Sequence, residues 1–119
     1  MNIILHIAQR NAWDKAKALR SYQGDTLESE GYMHCSTPEQ LIPVANRLFR
    51  GRTDLVLLCI DRPKVEAEIR DENLEGGSTL FPHIYGPLNI NAVIDVFDFT
   101  PQADGSFVLP QALNKADQR

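Results

Sequence analysis

A single mixed α+β domain is the fold class this sequence predicts, and three observations carry it. The chain has 119 residues, 43% of them hydrophobic, which is the size of one domain able to bury a core without disulfide or metal staples. The helical patterns lie early. The strand-like apolar runs lie late, and that segregation favours α+β over a doubly wound parallel sheet. The domain is expected to span 1–113, with a polar tail at 114–119.

Each element follows from local pattern. Asn2 to Ala8 is nearly all apolar and stops at Gln9-Arg10-Asn11, a first strand. Asn11 is placed to cap a short helix from Ala12 to about Arg20, which carries Trp13, Ala16 and Leu19. Tyr22 to Gly31 is a polar connection, and Tyr32 to Ser36 a short strand. Thr37-Pro38-Glu39-Gln40 has the form of a capping box, with proline in the first helical position. Leu41, Val44, Ala45, Leu48 and Phe49 continue it at helical spacing, and Gly51 is a C-terminal cap.

Leu55-Val56-Leu57-Leu58-Cys59-Ile60 reads as a central strand buried on both faces, ended by Arg62-Pro63. Val65, Ala67 and Ile69 alternate with Glu66, Glu68 and Arg70, a half-exposed strand. Asp71 to Thr79, with Gly76-Gly77, is expected to be a loop. Phe81 to Leu88 holds two prolines and a glycine, which predicts a shaped turn rather than regular structure. Asn91 to Thr100 is a strand, and Phe107-Val108-Leu109 adds a short edge strand. The whole is a mixed, split β-sheet with two early helices.

Composition narrows the function. The 12 basic and 16 acidic side chains give a net charge of −4, so no basic excess is available for general nucleic-acid binding. Every apolar run falls well short of the roughly 20 residues of a membrane span. The N-terminus lacks the pattern of a signal peptide. Two cysteines, Cys35 and Cys59, are too few for a disulfide framework. These features predict a cytoplasmic, reduced protein. They leave its oligomeric state open.

Histidine is scarce, with His6, His34 and His83 the complete set. If Tyr32 to Ser36 is extended, Tyr32, His34 and Ser36 share one face and Met33 and Cys35 the other. Cys35 is then a core residue, pointing away from His34, and not a nucleophile. His34 and Ser36 face a cleft just ahead of the Thr37 helix start, a natural anion site. For His34 a plain hydrogen bond to a neighbouring loop stays equally open. His83 and Tyr85 share a face if their segment is extended, in a backbone stiffened enough to suit a ligand pocket. His6, on an apolar strand beside Ile4 and Ala8, reads as a satisfied core histidine unless that face abuts the His34 strand. No pair of His or Cys has metal-site spacing, so no metal is expected. Among Asp71, Glu72 and Glu75, Glu72 is best placed to reach the His83 segment, while Glu75 reads as a solvated loop residue. The glycine-rich dinucleotide, Walker and Gly-x-Ser-x-Gly signatures are absent.

Two segments, Gly31-Tyr32-Met33-His34-Cys35-Ser36-Thr37-Pro38-Glu39-Gln40 and Phe81-Pro82-His83-Ile84-Tyr85-Gly86-Pro87-Leu88, resemble the paired motifs of the small bacterial domain-of-unknown-function family 952. A first strand containing His-Ile and a Glu ahead of the second motif extend the resemblance from about Ile3 to Phe99. The resemblance implies a minimal ADP-ribosyltransferase-like fold, a split sheet that binds NAD in a cleft. It implies that Glu72 and His34 are catalytic and that His6, Ser36, Thr37, His83 and Tyr85 bind ligand. NAD would be a substrate, with no tightly bound cofactor. The sequence departs from the active transferases in lacking a Glu-x-Glu or Gln-x-Glu motif on a late strand. Two functions follow: a transferase-like enzyme acting on NAD or ADP-ribose, or a non-catalytic module that binds a small nucleotide or phosphate.

Overall fold

β4, Leu55–Asp61, is buried along six of its seven residues. It earns that burial by lying between β1, Ile3–Gln9, and β8, Val93–Asp98, both antiparallel to it. A strand covered on both faces must be apolar at every position, which is the pattern the sequence carries. The computed structural model describes residues 2–24, 26–73 and 77–113.

The other elements follow the chain: α1 (Arg10–Leu19), β2 (Ser21–Tyr22), α2 (Leu27–Glu30), β3 (Met33–His34), α3 (Leu41–Leu48), β5 (Glu68–Glu72), β6 (Phe81–Tyr85) and β7 (Leu88–Asn89). β3, β6 and β5 form a second three-stranded antiparallel sheet in that order, and β2 pairs with β7. One bridge stitches the two larger sheets together. Leu5 and Ser36 exchange backbone hydrogen bonds of 2.7 and 2.8 Å.

Alternation along β1 and β4 divides the core in two. On one face Ile4, Ala8, Val56, Leu58 and Ile60 pack with Trp13 and Ala16 of α1 and with Met33, Cys35 and Ile84. On the other Leu5, Leu55, Leu57 and Cys59 pack with Leu41 and Ala45 of α3 and with Phe99 and Phe107. Cys35 and Cys59 are both buried thiols, and burial pushes the Cys59 thiol up to about 11.

The structure corrects several expectations. α1 begins at Arg10, with Gln9 rather than Asn11 as its cap residue, because Arg10 is tied down by its backbone bond to Asp54 and its ion pair with Asp98. The capping box forms only in part. Gln40 Oε1 accepts from the Thr37 backbone N–H at 3.0 Å, but 38–40 is a turn and α3 starts at Leu41. The Phe81 segment is a regular central strand despite Pro82, whose carbonyl accepts from Cys35 N–H at 3.0 Å. Asp71 and Glu72 belong to β5, not to a loop. Residues 107–109 form no strand; Phe107 is instead held by its bond to Asn46 and by stacking on Phe99, ring centroids 4.5 Å apart. Glu75 and the 114–119 tail lie outside the described residues. Among the described residues no helix is long and apolar enough to cross a membrane.

Candidate functional site

The second sheet builds the site by register. β3 and β6 pair His34 with His83, and β6 and β5 pair His83 with Arg70, Tyr85 with Glu68 and Phe81 with Glu72. Opposite residues in an antiparallel pair share a face. His34, His83, Tyr85, Arg70 and Glu72 therefore gather on one side. Met33, Ile69 and Ile84 fall on the other, against the core.

Gly31 makes the approach to β3 possible. It closes α2 in the left-handed conformation at φ 87°, its N–H bonded to Leu27 O at 2.9 Å, a geometry that glycine adopts without strain. The chain then turns so that Tyr32 lies on the histidines. Its ring stacks on His83 at 4.5 Å and meets His34 and Tyr85 at 5.1 and 5.2 Å. The two imidazoles sit edge to face at 5.3 Å.

Each imidazole is backed by a carboxylate. His34 Nε2–H donates to Glu30 Oε1 at 2.9 Å, and His83 Nδ1–H to Glu72 Oε1 at 3.1 Å. Tyr85 donates its hydroxyl proton to the same Glu72 oxygen at 2.5 Å. The Tyr85 bond, and then the His83 bond, hold the Glu72 carboxyl below the usual range. The same bond raises the Tyr85 phenol. Arg70 covers the Tyr85 ring at 4.3 Å while pairing with Glu68. His34, followed by Thr26, keeps Glu30 below its ordinary range.

His6 joins the two sheets from beneath. A carbonyl can only accept, so His6 Nδ1 carries the proton it donates to His34 O at 2.6 Å. In the neutral ring Nε2 then accepts from the Tyr22 hydroxyl at 3.0 Å. His6 is thus a satisfied buried residue that also abuts the His34 strand.

A cleft of about 360 Å³ lies over this ensemble. His6, His34, Ser36, Glu72 and His83 all line it, as do Glu30, Thr26, Asn73 and Arg47. Val44, Leu48, Phe49 and Phe81 supply an apolar wall. Tyr85 does not line the cleft and reaches it through Glu72. Thr37 is outside it, its N–H taken by Gln40, so the expected helix-start anion site at Thr37 is not part of the cleft. Asp71 is engaged elsewhere, in a two-pronged pair with Arg62 at 2.7 and 2.9 Å. Among the described residues no group of three His, Cys, Asp or Glu side chains is placed to hold a metal ion.

Sequence reasoning missed Tyr32 and Glu30. Tyr32 carried a usable signal, since strand alternation puts it on the His34 face. Glu30 carried none, because its reach to His34 depends on the turn at Gly31.

The DUF952 family, proteins of unknown function, matches this chain over residues 7–96. The chain belongs to the DUF952 family. The X-ray structure of protein CC0527 from Caulobacter crescentus is 33% identical, with a TM-score of 0.84, covering 95% of this chain and 99% of that one. The solution structure of CC0527 is 32% identical with a TM-score of 0.79 and full coverage of both chains. A comparison with curated proteins gives no match. This DUF952 domain therefore shares the α+β architecture of CC0527 along essentially its whole length.

Proposed function

We propose that this domain is a transferase-like enzyme that acts on NAD or an N-linked ADP-ribose substrate at its N-ribosyl bond. The observation that carries the reading is Glu72. It is a carboxylate kept ionised by Tyr85 and His83, and it borders a cleft shared with His34 and Ser36. When the bond from ribose C1′ to a pyridinium nitrogen breaks, the base leaves with the electron pair and positive charge develops on the ribosyl carbon. A fixed carboxylate stabilises that charge. An acceptor hydroxyl or water then adds to C1′ and gives up its proton. His83 donates from Nδ1 to Glu72, which leaves Nε2 as the ring's proton acceptor. His34 and Ser36 position the ribose. Two three-stranded antiparallel sheets joined by the Leu5–Ser36 bridge support the split-sheet comparison behind this reading. NAD is a substrate here, and no tightly held cofactor is invoked.

Incubation with NAD, following nicotinamide release, tests the proposal. Turnover by the natural sequence that is lost in Glu72→Gln supports it. Absence of both turnover and binding, with NAD and with its nicotinamide riboside portion alike, overturns it.

One observation favours a second reading, a module that binds a small nucleotide or phosphate without cleaving it. Glu72 Oε1 already accepts two hydrogen bonds and both His6 nitrogens are engaged. Thermal stabilisation by NAD or ADP-ribose without nicotinamide release selects this alternative.

A further inference from the structure

We propose that the cleft takes the cationic nucleoside end of such a substrate, a pyridinium-type base on ribose, and leaves the diphosphate outside. The inference rests on the N-ribosyl reading above and narrows its substrate class. Three features carry it.

The first is size. At about 360 Å³ the cleft lies at the small end of the roughly 300–1,000 Å³ typical of ligand pockets. It suits one nucleoside unit better than a dinucleotide.

The second is charge. Among the described residues the lining holds two carboxylates, Glu30 and Glu72, against one guanidinium, Arg47. The carboxylates bracket the same imidazole pair, Glu30 through His34 and Glu72 through His83, with the two rings 5.3 Å apart. Hydrogen bonds from His34 to Glu30, and from Tyr85 and then His83 to Glu72, keep both acids ionised. A pyridinium placed there faces opposite charge. A diphosphate faces like charge, which disfavours it.

The third is shape. Phe49 and Phe81 form part of the apolar wall, and the Phe49 ring already has the Arg52 guanidinium over it, 5.8 Å from its centroid. Flat aromatic groups accept a flat heterocycle, and their faces attract a cation.

Calorimetric titration of the full chain at neutral pH with nicotinamide riboside, NAD and ADP-ribose tests the inference. The riboside should bind about tenfold or more tightly than ADP-ribose, and NAD no more tightly than the riboside. Glu30→Gln should weaken the riboside several-fold and narrow its advantage over ADP-ribose. Circular dichroism checks that this exposed substitution leaves the fold intact. Tighter binding of NAD or ADP-ribose than of the riboside overturns the inference and leaves the N-ribosyl reading standing. So does an unchanged preference in Glu30→Gln. If none of the three binds, the N-ribosyl reading itself falls and takes the inference with it.

Discussion

His6 Nδ1 donates a 2.6 Å hydrogen bond to the backbone carbonyl of His34. A side chain of the first sheet thereby fixes the backbone of the second at the residue that faces the cleft. The Leu5–Ser36 bridge lies one residue away on β1 and two away on the partner segment. The seam of the split sheet and the wall of the cleft are one structure.

The first prediction follows from that seam. His6 is buried, and its removal takes a hydrogen-bond partner from both the His34 carbonyl and the Tyr22 hydroxyl. His6→Ala should cost about 2–4 kcal/mol, the sum of a core cavity and two lost buried hydrogen bonds. Urea unfolding measures it. A loss within experimental error of zero would show that the bonds are dispensable.

Glu72 predicts an acid limb in stability. Its carboxyl is held below the ordinary glutamate value of 4.5, so in mild acid the unfolded chain takes up a proton that the folded chain refuses. The contribution is complete above the unfolded pKa and is lost as pH falls through the lower folded one. Urea midpoints of the natural sequence should drop below about pH 4.5, and Glu72→Gln should flatten that part of the curve. Identical acid limbs would refute the assignment.

Tyr32 should act through the histidines it touches. Tyr32→Leu removes the stack on His83 and the contact with His34. Such aromatic pairs contribute about 0.5–1.5 kcal/mol. The His83 and His34 ring resonances should shift and broaden in NMR spectra, and ligand affinity should fall by up to about tenfold. Tyr32→Phe keeps the stack and should restore both. Equal behaviour of the two variants would place the role in the hydroxyl instead.

Cys59 should be inert in the folded protein. Its thiol is buried and raised to about 11, and the thiolate is the reactive form. At pH 8 an aromatic disulfide reagent should leave Cys59 unmodified until urea unfolds the chain. Cys35, buried in the same core as Met33 and Ile84 although it also borders the cleft, should follow the same course. Rapid native labelling of either would contradict the core assignment.

Much of this was legible along the chain. The unbroken apolar run of β4 could only suit a strand covered on both faces. Alternation from Tyr32 to Ser36 by itself sets His34 and Cys35 on opposite faces. The two motif segments identified the family. These features depend on neighbours a few residues apart, where backbone geometry alone sets the direction of each side chain.

What tertiary structure alone decided was convergence. Phe81–Tyr85 became a strand against its proline because β3 and β5 flank it on both edges. Glu72 left the expected loop because pairing with Phe81 extends β5 to its position. Thr37 fell outside the cleft because the turn at 38–40 delays α3. Glu30 entered it because Gly31 reverses the chain. Strand pairing is a non-local choice, made by registers between segments as far apart in the chain as Met33 and Ile84. The sequence determined which side chains were available and which face each would take; the pairing of β3, β6 and β5 decided which of them would meet.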